Sequence, residues 1–132
     1  MKSTNSLGEA QRRKARIILV VEDDPSVGAL LVETLKLETR YQVLLVTDGI
    51  QALQVMDSAV PDLIVLDYRL PSMNGLELAD HLQERDALKA VPMLLMSASM
   101  PERERKQLRI TFIEKPFELE TFLHTIEGLL AS

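Results

Sequence analysis

Two apolar runs in this chain end in acids. Ile17-Ile18-Leu19-Val20-Val21 leads into Glu22-Asp23-Asp24, and Leu63-Ile64-Val65-Leu66 leads into Asp67 and then Tyr68-Arg69-Leu70-Pro71. In an open parallel sheet, ligands bind at the C-terminal ends of the strands. Carboxylates gathered there repel one another unless a cation or a proton joins them. Hard oxygen ligands with no His or Cys nearby favour Mg²⁺. Asp23 and Asp67 are therefore expected to bind Mg²⁺ directly. Glu22, one carbon longer, is expected to act through a water, because Mg²⁺ keeps several waters in such sites. Asp24 can be an outer acid or the cap of the helix that follows. An aspartate in this setting can also be a nucleophile. Two further apolar runs deliver a hydroxyl, Ser97, and an ammonium, Lys115, to the same edge. Either residue alone has a bland explanation; acid cluster, Asp, Ser and Lys in succession, each after an apolar run, do not.

The elements that must position these groups can be read from the apolar pattern. Strands are expected over 16–21, 41–46, 63–66, 93–96 and 110–113. Helix-period segments lie between and after them. The first helix starts at Pro25, with Val27, Leu30, Leu31, Thr34, Leu35 and Leu37 on or near one face. The second covers 49–58, with Ile50, Leu53 and Met56 inward. Asn74 is placed to cap the third, which carries Leu76, Leu78, Ala79 and Leu82. A short charged helix over 101–108 is the fourth, and 117–130 is the fifth. Short apolar strands separated by helices imply a parallel sheet covered on both faces.

The chain has 132 residues, 46% hydrophobic and 27% charged, enough for one domain with its own core. It contains no Cys, which excludes disulfides and thiolate chemistry. No apolar run approaches a membrane span, and the N-terminus has no signal-peptide core, so a cytoplasmic protein with no membrane partner is expected. Residues 1–16 hold five basic side chains against Glu9, a net of +4, which leaves −9 on the remainder of a −5 chain. An acidic body argues against nucleic-acid binding by the domain. Residues 1–15 are expected to be a flexible leader, and 16–132 the domain.

With those residues in view, the chain resembles the receiver domain of two-component response regulators, in the stand-alone, chemotaxis-regulator-like form. The segments that carry the resemblance are ILVVEDDP at 18–25, VTDGIQAL at 46–53, DLIVLDYRLPSMNGLEL at 62–78, PMLLMSAS at 92–99 and FIEKPF at 112–117. The resemblance implies a flavodoxin-like, doubly wound α/β fold, with a five-stranded parallel sheet of order 2-1-3-4-5 and five helices. It implies that Asp67 accepts a phosphoryl group from a sensor histidine kinase or a histidine phosphotransfer protein. Mg²⁺ would be held by Asp23, Asp67 and the backbone carbonyl of Arg69, with Glu22 acting through water. Lys115 would pair with the phosphate, and its bond to Pro116 would be cis. Ser97 and Phe112 would be the switch residues that pass the change to an unidentified downstream protein. Such a chain is a phosphoacceptor that promotes its own phosphorylation and dephosphorylation, not an enzyme in the ordinary sense.

Several positions depart from the family pattern. Phe112 lacks the hydroxyl that many relatives carry there. The stretch from Ser97 to Lys115 is shorter by about one helical turn, which shortens the fourth helix. That shortening leaves one alternative open, a phosphorylation-independent interaction module with a receiver fold. A phosphatase with an Asp nucleophile is disfavoured, because it needs a general acid two residues on, where Arg69 stands. A dinucleotide enzyme is disfavoured because no G-x-G-x-x-G follows the first strand.

Overall fold

The computed structural model describes residues 16–99 and 110–131. Five parallel strands, β1 (Ile17–Val21), β2 (Gln42–Val46), β3 (Leu63–Asp67), β4 (Met93–Ser97) and β5 (Thr111–Glu114), form one sheet in the order β2-β1-β3-β4-β5. Four α-helices are described: α1 (Pro25–Glu38), α2 (Gly49–Val55), α3 (Gly75–Gln83) and α4 (Leu119–Ala131). The last corresponds to the expected fifth helix. The expected fourth helix and the leader lie outside the described residues. A 3₁₀ turn at Asp86–Leu88, which the apolar pattern did not suggest, leads toward β4 and buries Leu88.

Successive residues of a strand face opposite sides of the sheet, and this sequence fills both sides. Ile18, Val20, Leu63, Val65, Leu94, Met96 and Ile113 meet Leu31 and Leu35 of α1 and Phe122 and Ile126 of α4. Leu19, Val21, Ile64, Leu66, Met93 and Leu95 meet Ala52, Leu78, Ala79 and Leu82 of α2 and α3. β1, β3 and β4 are buried on both faces, which is why they read as unbroken apolar runs. β2 is an edge strand, and its Leu44 and Leu45 are partly exposed.

Helix ends follow local chemistry. Asp24 caps α1 by accepting from the backbone N–H groups of Ser26 and Val27, and Pro25 occupies the first turn, where no donor is needed. Asp48 caps α2 through the N–H of Gln51. Asn74 and Glu77 form a reciprocal capping box on α3, as the position of Asn74 suggests. Three residues expected to face inward are exposed. In α1 the buried positions are Gly28, Leu31 and Leu35, while Leu30 and Leu37 are exposed. In α2, Gly49 and Ala52 are buried and Ile50 is exposed. In both helices a glycine takes an inward position, so a neighbour comes closer than an apolar side chain would permit.

Candidate functional site

β1, β3 and β5 bring the charged groups together. Asp67 is the last residue of β3, and Glu22 follows β1 directly, held by a hydrogen bond from its N–H to the Val46 carbonyl. Lys115 follows β5, with its N–H bonded to the Ser97 carbonyl, and its bond to Pro116 is cis. Glu22, Asp67 and Lys115 each lie two residues beyond a core residue of the α1/α4 side, namely Val20, Val65 and Ile113. The pleat therefore carries all three to one side of the sheet edge. Lys115 Nζ stands 2.6 Å from Asp67 Oδ1 and 3.8 Å from Glu22 Oε1.

Ser97 continues the other parity, that of Leu95. It is buried at the same edge, but its hydroxyl donates to the Ser99 carbonyl at 2.8 Å and accepts from the Ser99 N–H at 3.2 Å. Phe112, partly buried, packs against the core on the α2/α3 side. Arg69 is exposed in the β3–α3 loop, at the rim of an open cleft of about 690 Å³ lined also by Glu22, Asp23, Asp67, Pro71 and Lys115.

The electrostatics of this cleft are unbalanced. Glu22, Asp23 and Asp67 each place a carboxylate oxygen within 4.8 Å of the others. Glu22 is 2% exposed and Asp67 5%. One Glu22 oxygen accepts from the Asp24 N–H. The other, Oε1, is buried without a hydrogen-bond donor, since Lys115 is within ion-pairing range but too far for a hydrogen bond. Burial is the main cause of the raised Glu22 pKa. The Asp24 N–H opposes that rise, Asp67 adds to it, Lys115 opposes it, and Asp23 adds to it. Three carboxylates, one of them with a buried oxygen that has no donor, outnumber the single ammonium and make an oxygen set that suits a hard divalent cation. Asp23 is exposed, which leaves one side of the cluster open to water.

One residue beside Asp67 escaped the sequence reading. A Cβ at Gly75 would collide with the Asp67 carbonyl oxygen and lie 2.8 Å from Leu95 Cδ1 and 3.0 Å from Tyr68 Cα. The Gly75 N–H donates to the Tyr68 carbonyl at 2.7 Å, which closes the β3–α3 loop at its base. The sequence signal was available: Asn74-Gly75 sits at the start of the helix that follows the acidic strand end.

Residues 18–127 match the family model described as the response regulator receiver domain. This chain belongs to that family. The receiver domain is 30% identical over 118 residues to the sensor histidine kinase TmoS of Ectopseudomonas mendocina, a match covering 86% of this chain and 12% of that protein. It is 27% identical over 117 residues to the polar-differentiation response regulator DivK of Brucella anthropi, covering 86% of this chain and 94% of that protein. Among solved structures it is similar to the receiver domain of a Pseudomonas aeruginosa sensor histidine kinase described with a magnesium ion coordinated in its active site cleft. That likeness has a TM-score of 0.80 at 26% identity, and covers 89% of this chain and 99% of the other. The chain thus spans a small fraction of one of these relatives and nearly all of the other two. Among the described residues no helix is long and apolar enough to cross a membrane.

Proposed function

We propose that this receiver domain accepts a phosphoryl group on Asp67 from a phosphohistidine and uses the change to regulate a partner. The observation that carries the reading is Asp67 itself: a buried carboxylate at a strand end, paired with Lys115 at 2.6 Å and lining an open cleft. In the transfer, an Asp67 oxygen forms a bond to phosphorus as the bond from phosphorus to the imidazole nitrogen breaks. The nitrogen keeps the electron pair and takes a proton. The product is an acyl phosphate on Asp67. Lys115, already at the carboxylate, is placed to pair with the phosphoryl oxygens. Ser97 would exchange its bond to Ser99 for one to the new oxygens, and Phe112 would respond by repacking.

Asp23, Asp67 and the Arg69 backbone carbonyl would hold Mg²⁺, with Glu22 contributing through a water. The ion supplies positive charge against the phosphoryl oxygens. The donor set fits, because Glu22 Oε1 has no donor of its own and the cluster holds more negative than positive charge. Similarity to a sensor histidine kinase and to a response regulator supports a histidine kinase or histidine phosphotransfer protein as donor. We read 16–132 as the domain, 1–15 as a leader, and the cytoplasm as its setting. The interaction-module alternative rests on the fourth helix, which lies outside the described residues. The test is labelling by acetyl phosphate with Mg²⁺. Asp67→Asn should abolish it in a folded protein; label that moves to another carboxylate would overturn the assignment.

A further inference from the structure

The β3–α3 loop carries Arg69 at the cleft rim and turns sharply before α3. The Met73 N–H donates to the Pro71 carbonyl at 2.8 Å, and Ser72 between them has φ 72°. That is a three-residue γ-turn of the rarer hand, strained for a residue with a Cβ. It brings Met73 onto α2. A Cβ at Gly49, the first residue of α2, would lie 2.8 Å from both Met73 Cγ and Met73 Sδ and 3.4 Å from its Cε. No described glycine has a positive φ, so Gly49 is not needed for backbone freedom. It leaves room for the Met73 side chain.

We propose that Gly49 and Met73 form a clasp between α2 and the β3–α3 loop, and that they are positioning residues for the Arg69 backbone carbonyl. The base of the loop is closed by the Gly75–Tyr68 hydrogen bond, and its C-terminal residue is fixed by the capping box at Asn74. Met73 supplies the lateral tie, from the turn at the end of the loop to a separate helix. The inference rests on the reading of the Arg69 carbonyl as a metal ligand, and adds to it what holds that carbonyl in place. A methyl at position 49 would meet a flexible side chain and not backbone. Gly49→Ala should therefore swing Met73 out of its seat without collapsing the fold, and release the loop.

The experiment is a Mg²⁺ titration of the full chain followed by amide NMR shifts, using wild type, Gly49→Ala, Met73→Ala and the double variant. Met56→Ala serves as a control, since Met56 is buried in the same core but caps the C-terminal end of α2, opposite Gly49. Loss of an outer-shell partner bonded to a metal ligand weakens binding about 10–100-fold, and a packing contact one step farther out should fall at or below the low end of that range. Gly49→Ala and Met73→Ala should each show that loss, and the double variant should be no worse than Met73→Ala, because both changes remove one contact. Met56→Ala should lower the melting temperature and leave Mg²⁺ affinity unchanged. In the metal-free protein, the Met73 amide should exchange faster in Gly49→Ala than in wild type. Wild-type Mg²⁺ binding with undiminished affinity in Gly49→Ala, or multiplied losses in the double variant, would overturn the clasp alone. No Mg²⁺ response in wild type would overturn the metal reading, and the positioning role with it.

Discussion

The same substitution at two glycines should have opposite effects, and the structure supplies both magnitudes. At Gly75 an added methyl meets backbone on two sides, the Asp67 carbonyl oxygen and Tyr68 Cα, and Leu95 on a third. Overpacking of this kind costs about 1–3 kcal/mol. Moving α3 away to relieve it strains the Gly75–Tyr68 hydrogen bond, worth about 1 kcal/mol. The expected loss for Gly75→Ala is about 2–4 kcal/mol, a large part of a typical domain's stability of about 5–15 kcal/mol. At this chain length that lowers the melting temperature by about 10 °C. At Gly128, within α4, nothing beyond its neighbours and the local helix backbone lies within 4 Å of an added Cβ. There Gly128→Ala gains about 1 kcal/mol from helix propensity. The assay is urea and thermal unfolding of both variants, with acetyl phosphate labelling below their melting temperatures. Gly75→Ala should also label more slowly per folded molecule, since its methyl displaces the Asp67 backbone. A Gly75→Ala protein that melts within about 2 °C of wild type would refute the close approach at the β3–α3 junction.

Glu22 makes metal-free stability depend on pH. Its folded pKa lies above the ordinary 4.5, chiefly through burial, so its contribution is fully present below that value and is lost as pH rises through the folded pKa. With chelator present, Glu22→Gln should therefore gain on wild type as pH rises, and a constant difference in urea midpoints across that range would refute the sign. Asp24→Ala should cost about 1 kcal/mol through loss of the α1 cap and leave Mg²⁺ binding intact, whereas Asp23→Ala should abolish Mg²⁺ binding; equal effects in an NMR titration would mean that the acids exchange roles. Ser72→Gly should raise stability by about 0.5–1 kcal/mol net of glycine's greater unfolded freedom, and a melting temperature that falls would show the γ-turn to be unstrained.

Much of this fold was legible because β1, β3 and β4 are apolar on both faces. Their limits lie within one residue of the expected ones, since an acid or hydroxyl ends each run. The order of the sheet came from the family resemblance, not from the strands themselves. The helices were less legible. Apolar spacing placed Leu30, Leu37 and Ile50 inward, but a glycine at 28 or 49 counts as neutral in such a pattern while it allows the closest packing. Gly28 lets Leu45 approach α1, and Gly49 lets Met73 approach α2. At the site, the acids and Lys115 were readable from strand ends. The engagement of Ser97 with Ser99 was not, because it depends on a local turn that strand patterns do not encode.

The alternation of side chains along the strands also governs where this chain can change length. Val20 to Glu22, Val65 to Asp67 and Ile113 to Lys115 are each one full pleat repeat from a core residue to a cleft residue. One residue inserted inside β5 would exchange the surroundings of Ile113 and Phe112 and carry the Lys115 ammonium away from Asp67. The same residue inserted in a surface connection costs little beyond a small loop-closure entropy. A library of single-codon insertions, selected for Asp67 labelling, should therefore be empty over the three strands that bear the charged groups and the turns that follow them, and populated at the turns on the opposite edge of the sheet, where helices lead into strands. The reading frame of the pleat is thus as much a part of the site as its charges.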